Sequence, residues 1–369
     1  MRAAVFYSPN NISIEEREEC AYSSPVNQPK GVLLRMNACA ICGYDVNVYR
    51  NGHTKVRAPV VLGHEICGEL VESPTIPTSH SYPDEDVHTE GTRVVLSPLV
   101  PCLNCMYCNS RHYNLCNNLM EIGSSIDGGF AQFVRIPDNT IKIGGLISLP
   151  DSLTNEESTL IEPLACCLNG LKRINSLADE SLEGKTFVIL GDGPIGLMHL
   201  QLAKYLYRAR VIVAGQVDHR LRVAKHMGAD FVINLEGDKD STSAIKEILD
   251  LTDGKGTSVS IIATPNPDAF EVAAGIASKN SIINMFAGVP KHLGFRIDPN
   301  WIHYNQIALV GSFSATPMLI HEAIDLVTEK HGIDLSSIIT HRCKLDDIYK
   351  ALEITEELLG LRVVINSFK

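Results

Sequence analysis

The chain has 369 residues, more than a single hydrophobic core usually holds, so two domains are expected. Its composition, 45% hydrophobic and 20% charged, excludes disorder, and no run approaches the roughly 18 apolar residues that a membrane span needs. A formal net charge of −11, with no Lys/Arg run, argues against nucleic acid as a partner.

In chain order, the opening "MRAAVFYSPNNISIEE" lacks the apolar stretch and cleavage site of a signal peptide and reads as a first strand. A cytoplasmic location follows as the expectation. In that reducing setting, clustered cysteines bind metal or do chemistry more often than they form disulfides. "GVLLRMNAC" (31–39) and "TRVVLSPL" (92–99) are β-branched and apolar and predict strands. Between them, Glu72 to Thr92 is rich in Pro, Ser, Thr and acids and reads as a solvated loop. Near Thr154 the texture changes to apolar residues at helical spacing, with Thr154 as N-cap and Glu157 completing a capping box.

Strands and helices then alternate. "TFVIL" (186–190), "RVIVA" (210–214), "DFVIN" (230–234), "SVSIIA" (258–263) and "SIINMFAG" (281–288) are separated by helical segments. Such βα units predict a parallel sheet covered on both faces. From about Trp301 the pattern is mixed again and includes a helix, "PMLIHEAIDLVTEK". The expected fold is therefore α/β, with an inserted Rossmann-type domain at 155–301 and a mainly β domain built from 1–154 and 302–369.

Three constellations carry chemistry. Cys102, Cys105, Cys108 and Cys116 lie close enough in sequence to wrap one tetrahedral Zn2+ with no open position, a structural site; an iron–sulfur cluster is the rival. Cys42, Asp45, His64, Glu65 and Glu162 form a mixed thiol, imidazole and carboxylate set of the kind an open, Lewis-acidic zinc uses. Singly, each also reads as a buried thiol, a core histidine or a helix-start carboxylate.

The third is "VILGDGPIG", where Gly191, Gly193 and Gly196, with Pro194 and Ile195, follow a strand and open a helix, as a pyrophosphate cradle does. The second strand of a dinucleotide site usually ends in an acid for the ribose 2′-hydroxyl; here Gly215 stands in its place. Without that carboxylate the balance tips toward NADP, although Gln216 and Val217, not Arg, follow. Arg220 or His219 would then meet the phosphate, or Asp218 the ribose.

Together with "CGYDVNVY", "PVVLGHEICGELVE", "DGGFAQFVRIP", "IEPLACCLNG" and "GLRVVI", these motifs resemble the zinc-dependent medium-chain dehydrogenase/reductase superfamily, and its polyol (sorbitol-like) branch in particular. The resemblance runs nearly end to end. It implies a GroES-like catalytic domain with a structural zinc lobe at about 98–118, a Rossmann domain, two Zn2+ per subunit, and a homodimer or homotetramer. By the same resemblance Cys42 and His64 are catalytic zinc ligands, Glu65 is a ligand or a group behind one, and Glu162 completes the sphere or holds a water. Thr264 and Arg362 join the expected cofactor contacts.

Two positions depart from the family. Tyr44 replaces the usual Ser or Thr proton relay, and Asn47 replaces a His that passes protons to solvent. The implied activity is hydride transfer between a secondary alcohol (polyol, sugar alcohol or cyclitol) and NAD or NADP. His53, Arg57, Arg296 and His303 are candidate substrate contacts or ordinary surface residues. A threonine-dehydrogenase-like amino-alcohol oxidation and a non-catalytic dinucleotide-binding protein are the alternatives.

Overall fold

A computed structural model of the chain describes residues 1–17, 31–72, 88–235, 241–290, 293–329 and 332–368. Most of the loop expected between Glu72 and Thr92 lies outside the described residues. The chain divides into two compact units, Met1–Ala165 with Ala315–Glu329 and Leu335–Lys369, and Cys166–Ser314 with Lys330–Asp334.

The first unit is built on a seven-stranded sheet. Leu146–Ser148, Arg93–Leu96, Glu65–Leu70, Val32–Ala40, Arg362–Ser367 and Ile339–Lys344 follow one another across it, and Phe133–Ile136 adds to Val32–Ala40. All of these pairings are antiparallel except the last, Ile339–Lys344 with Arg362–Ser367. The strands are rich in Val, Leu and Ile, and their inner faces bury Leu34, Ile66, Val94, Leu96 and Ile365 against Phe130. Each such side chain contributes about 1.5–3 kcal/mol by leaving water. The opening segment forms two strands, Arg2–Ser8 and Asn11–Glu16, paired antiparallel across the turn at Pro9 and Asn10.

The second unit carries six parallel strands, numbered here within the unit: β1 (Thr186–Leu190), β2 (Arg210–Gly215), β3 (Phe231–Asn234), β4 (Thr257–Ile262), β5 (Ala277–Met285) and β6 (Ala308–Gly311). Their order is β3-β2-β1-β4-β5-β6, the arrangement of dinucleotide-binding doubly wound folds. Val188, Ile189, Ile212, Val213, Ile261 and Ile283 are fully buried, as strands covered on both faces require.

The compact units have other limits than the sequence suggests. β6 pairs with β5, so the second unit runs on to Ser314 and does not stop at 301. Its start falls between Ala165 and Cys166, inside the helix Ile161–Asn175, and not at 154/155. The capping box at Thr154 is present, with Glu157 Oε2 accepting from Thr154 N at 3.1 Å and Thr154 Oγ1 accepting from Glu157 N at 3.2 Å. It opens a short helix, Asn155–Thr159, immediately before the longer one.

Candidate metal centre and dinucleotide site

Strand register assembles the mixed donor set. Ala40 lies opposite Glu65 on one side and Val364 on the other, so the ends of three strands meet at one point. Two residues past Ala40, Cys42 caps the helix Gly43–Asn51, and Asp45 in its first turn accepts a hydrogen bond from Cys42 N at 2.9 Å through Oδ2. The ligand atoms of Cys42, His64 and Glu65 all lie within 4.8 Å of one another. A soft thiolate, an imidazole and a carboxylate suit zinc, and three protein donors leave a tetrahedral ion one position open.

Electrostatics support the same use. Asp45 is fully buried; its Oδ1 lies 3.6 Å from His64 Nδ1 and also accepts from Gly63 N at 3.3 Å. Burial opposes a charged His64, but Asp45 and Cys42 draw its pKa well up, a measure of how negative the pocket is. Burial raises the Glu65 carboxyl to about 7 against the pull of Arg362 and His64. Neither Glu65 oxygen receives a hydrogen bond, and with Oε1 facing Arg362, Oε2 is left for a metal ion.

Arg362 was expected among the cofactor contacts. It lies buried in the first unit, with Nη2 3.2 Å from Glu65 Oε1 and Nη1 donating to Ile41 O at 2.9 Å. Glu162 is buried on the first turn of Ile161–Asn175. It falls outside the 4.8 Å set, near enough for its charge to raise Glu65.

Tyr44 stands edge-on to His64, with ring centroids 5.8 Å apart. Burial, with Glu121 adding, pushes its phenol up to about 12, so it is neutral near pH 7. Its Oη lies 3.3 Å from His53 Nδ1, which accepts from Lys55 N at 3.2 Å. That acceptor role leaves Nδ1 free of a proton, so the phenol donates to it. Asn47 instead accepts from Asn51 Nδ2 at 3.0 Å. Arg57 is exposed in this unit, and Arg296 and His303 are exposed in the other.

The sulfur loop is a cage. Sγ atoms of Cys105 and Cys108 are 3.6 Å apart, Cys105 and Cys116 3.9 Å, and Cys102 and Cys108 4.0 Å. Zn–S bonds of about 2.3 Å at tetrahedral angles put neighbouring sulfurs about 3.8 Å apart, whereas a disulfide needs about 2.05 Å. Amide N–H groups at Asn117 and Cys108 lower the Cys105 thiol to about 6 and so favour its thiolate. Four sulfurs at this spacing fit a closed zinc site.

In the second unit, β1 ends at Leu190 and the helix Pro194–Tyr207 begins after three intervening residues, with Gly193 as an N-cap that uses no side chain. A Cβ on Gly196 would stand 1.9 Å from Gly191 O, so only glycine allows this helix to approach. Above Gly193 the space is open, with Arg220 Nη1 the sole heavy atom within 4 Å of a built Cβ. Bare N–H groups at an uncovered helix start fit a pyrophosphate. Thr264 follows β4 at the same end of the sheet, while Asp218 accepts from Asn234 Nδ2. A residue the motif reading passed over is Asp192. Its Oδ2 accepts from Gln216 N at 2.8 Å and Val217 N at 2.7 Å.

Comparison with known proteins gives the family. Residues 28–145 match the alcohol dehydrogenase GroES-like domain, and 194–329 the zinc-binding dehydrogenase domain. The chain is 28% identical to a sorbitol dehydrogenase of Bacillus subtilis, over 99% of this chain and 98% of that one. It is 30% identical to a D-arabitol-phosphate dehydrogenase of Enterococcus avium, over 91% and 90%. A zinc-binding dehydrogenase from Sinorhizobium meliloti, solved bound to NADP, shares 27% identity at a TM-score of 0.82, covering 99% of this chain and 98% of its own. The chain thus belongs to the zinc-dependent medium-chain dehydrogenase/reductase superfamily, in its polyol dehydrogenase branch, with a GroES-like domain and a Rossmann domain.

Proposed function

We propose that the protein is a zinc-dependent oxidoreductase that transfers hydride between a secondary alcohol of a polyol, sugar alcohol or cyclitol and NAD(P). The observation that carries this is the contrast between its two donor sets. One is closed by four sulfurs, and the other offers three unlike donors beside an orienting carboxylate. The sorbitol and arabitol-phosphate relatives support the substrate class.

Cys42, His64 and Glu65 would hold the catalytic zinc, and the glycine turn the coenzyme; when bound, the metal supplies Lewis acidity and the nicotinamide accepts hydride. Asp45 fixes the His64 ring through Nδ1 and leaves Nε2 for the metal. Arg362 offsets the Glu65 charge and so reduces what burial costs its ionised form. The alcohol proton passes to Tyr44 Oη while the phenol hands its own to His53 Nδ1, which is exposed and returns it to water. This route replaces the one lost at Asn47. The same reading places the enzyme in a reducing cytoplasm as a homo-oligomer, which sedimentation would check.

The test is a panel of polyols, cyclitols and amino alcohols with zinc-loaded enzyme and both coenzymes. Oxidation of at least one polyol or cyclitol class is expected. Turnover confined to amino alcohols would transfer the protein to the threonine type, and no hydride transfer from any alcohol would end the proposal.

A further inference from the structure

The end of β2 is where a dinucleotide site of this fold reads the adenosine ribose, and the glycine there invites the conclusion that no carboxylate guards it. The side-chain geometry says otherwise. A Cβ built on Gly215 would lie 2.3 Å from Asp192 Oδ2 and 2.4 Å from its Cβ and Cγ. Gly215 is therefore a glycine because Asp192 already fills the volume a side chain would need. The carboxylate has not been lost from this corner. It comes from the glycine turn that follows β1.

Parallel pairing makes the substitution possible. Leu190, the last residue of β1, lies beside Ala214, so Asp192, two residues further on, comes up beside Gly215, the last residue of β2. Asp192 is 7% exposed and held in place, since its Oδ2 takes both Gln216 N and Val217 N. Two consequences follow for a ligand. Those amides, which would otherwise be donors for an anion at the end of β2, are already satisfied. Asp192 Oδ1 makes no hydrogen bond among the described residues and remains an acceptor for a hydroxyl. Of the basic residues that open the helix after β2, His219 is exposed, and Arg220 Nη1 stands over Gly193, on the side where the pyrophosphate would lie.

We propose that Asp192 replaces the missing strand-end acid and makes this site select a free adenosine 2′-hydroxyl, and hence NAD over NADP. This rests on the dinucleotide-binding reading above and reverses the expectation drawn from Gly215 alone. A 2′-phosphate carries close to two negative charges near neutral pH. It would meet a fixed carboxylate, with Gln216 N and Val217 N already taken, while a hydroxyl donates to Oδ1.

Binding, not turnover, tests it. Calorimetric titration of the zinc-loaded protein would compare NAD+ with NADP+, and ADP-ribose with its 2′-phosphate, which isolates the adenosine half. The wild type is expected to bind each 2′-hydroxyl ligand at least tenfold more tightly than its phosphorylated counterpart. In Asp192→Asn, which keeps an acceptor for the two amides, that ratio should fall at least fivefold through tighter binding of the phosphorylated ligands. Wild-type binding of NADP+ as tight as NAD+ would overturn the proposal, as would an unchanged ratio in a variant whose melting shows it folded. Should the variant not fold, the wild-type ratio decides alone. Binding of neither coenzyme is a different result, and would sink the dehydrogenase reading itself.

Discussion

His199 provides a clean test of how burial controls stability in the second unit. It lies on the helix Pro194–Tyr207, is fully buried, and meets Phe286 edge-on at 4.7 Å between ring centroids. Neither ring nitrogen has a hydrogen-bond partner among the described residues. Burial alone lowers its pKa from 6.5 to about 3. The unfolded chain therefore takes up a proton near pH 6.5 that the folded unit refuses until about pH 3. Between those values the unfolded state binds more protons, so stability is complete above pH 6.5 and falls as the pH drops. Each pH unit in the window costs about 1.4 kcal/mol, or about 2 kcal/mol by pH 5. His199→Leu removes both the titration and two unpartnered nitrogens. Hydrogen exchange of the amides in this helix would report the opening free energy of the unit at pH 7.5 and pH 5. The variant should gain about 2 kcal/mol on the wild type between the two conditions. Parallel losses in both proteins would refute the reasoning, because other titrating groups are common to the two.

Further outcomes can be checked separately. Cys105→Ser should lower bound zinc from two ions per chain to one by elemental analysis and leave the Cys42 set loaded. Tyr44→Phe keeps the ring but removes the hydroxyl that faces His53; kcat should fall by about 10²-fold or more at neutral pH with little change in coenzyme affinity. Thr154→Ala should cost about 1 kcal/mol in a denaturant melt, through loss of the capping box. Glu162→Ala removes a negative charge that acts on Glu65 and should slow turnover with the fold retained; unchanged kinetics would take it out of the mechanism.

Much of this molecule could be read from short stretches of sequence. The four-cysteine loop and the glycine turn are local, because their geometry follows from neighbouring residues: the sulfurs draw together, and the turn follows a strand and opens a helix. The last strand of the parallel sheet was not legible. Ala308–Gly311 is four residues long and becomes a sheet edge only by pairing with β5. The Glu65–Arg362 pair was hidden for a related reason, since it depends on two strands flanking Ala40 in a particular register. Gly215 is a third case. In sequence it is a missing acid, and only the pairing of β2 with β1 shows that Asp192 fills the space its side chain would need.

The four sulfurs of the cage sit within fifteen consecutive residues, Cys102 to Cys116, whereas the pocket around Glu65 is finished by Arg362, close to the end of the chain. On the ribosome, with synthesis proceeding from the N-terminus, the lobe has all its ligands while most of the protein is still unmade. The Glu65 pocket must wait for the strand that carries Arg362. A product truncated before that strand would hold all four sulfurs, and Cys42, His64 and Glu65 as well, yet its Glu65 would lack the guanidinium that answers its charge.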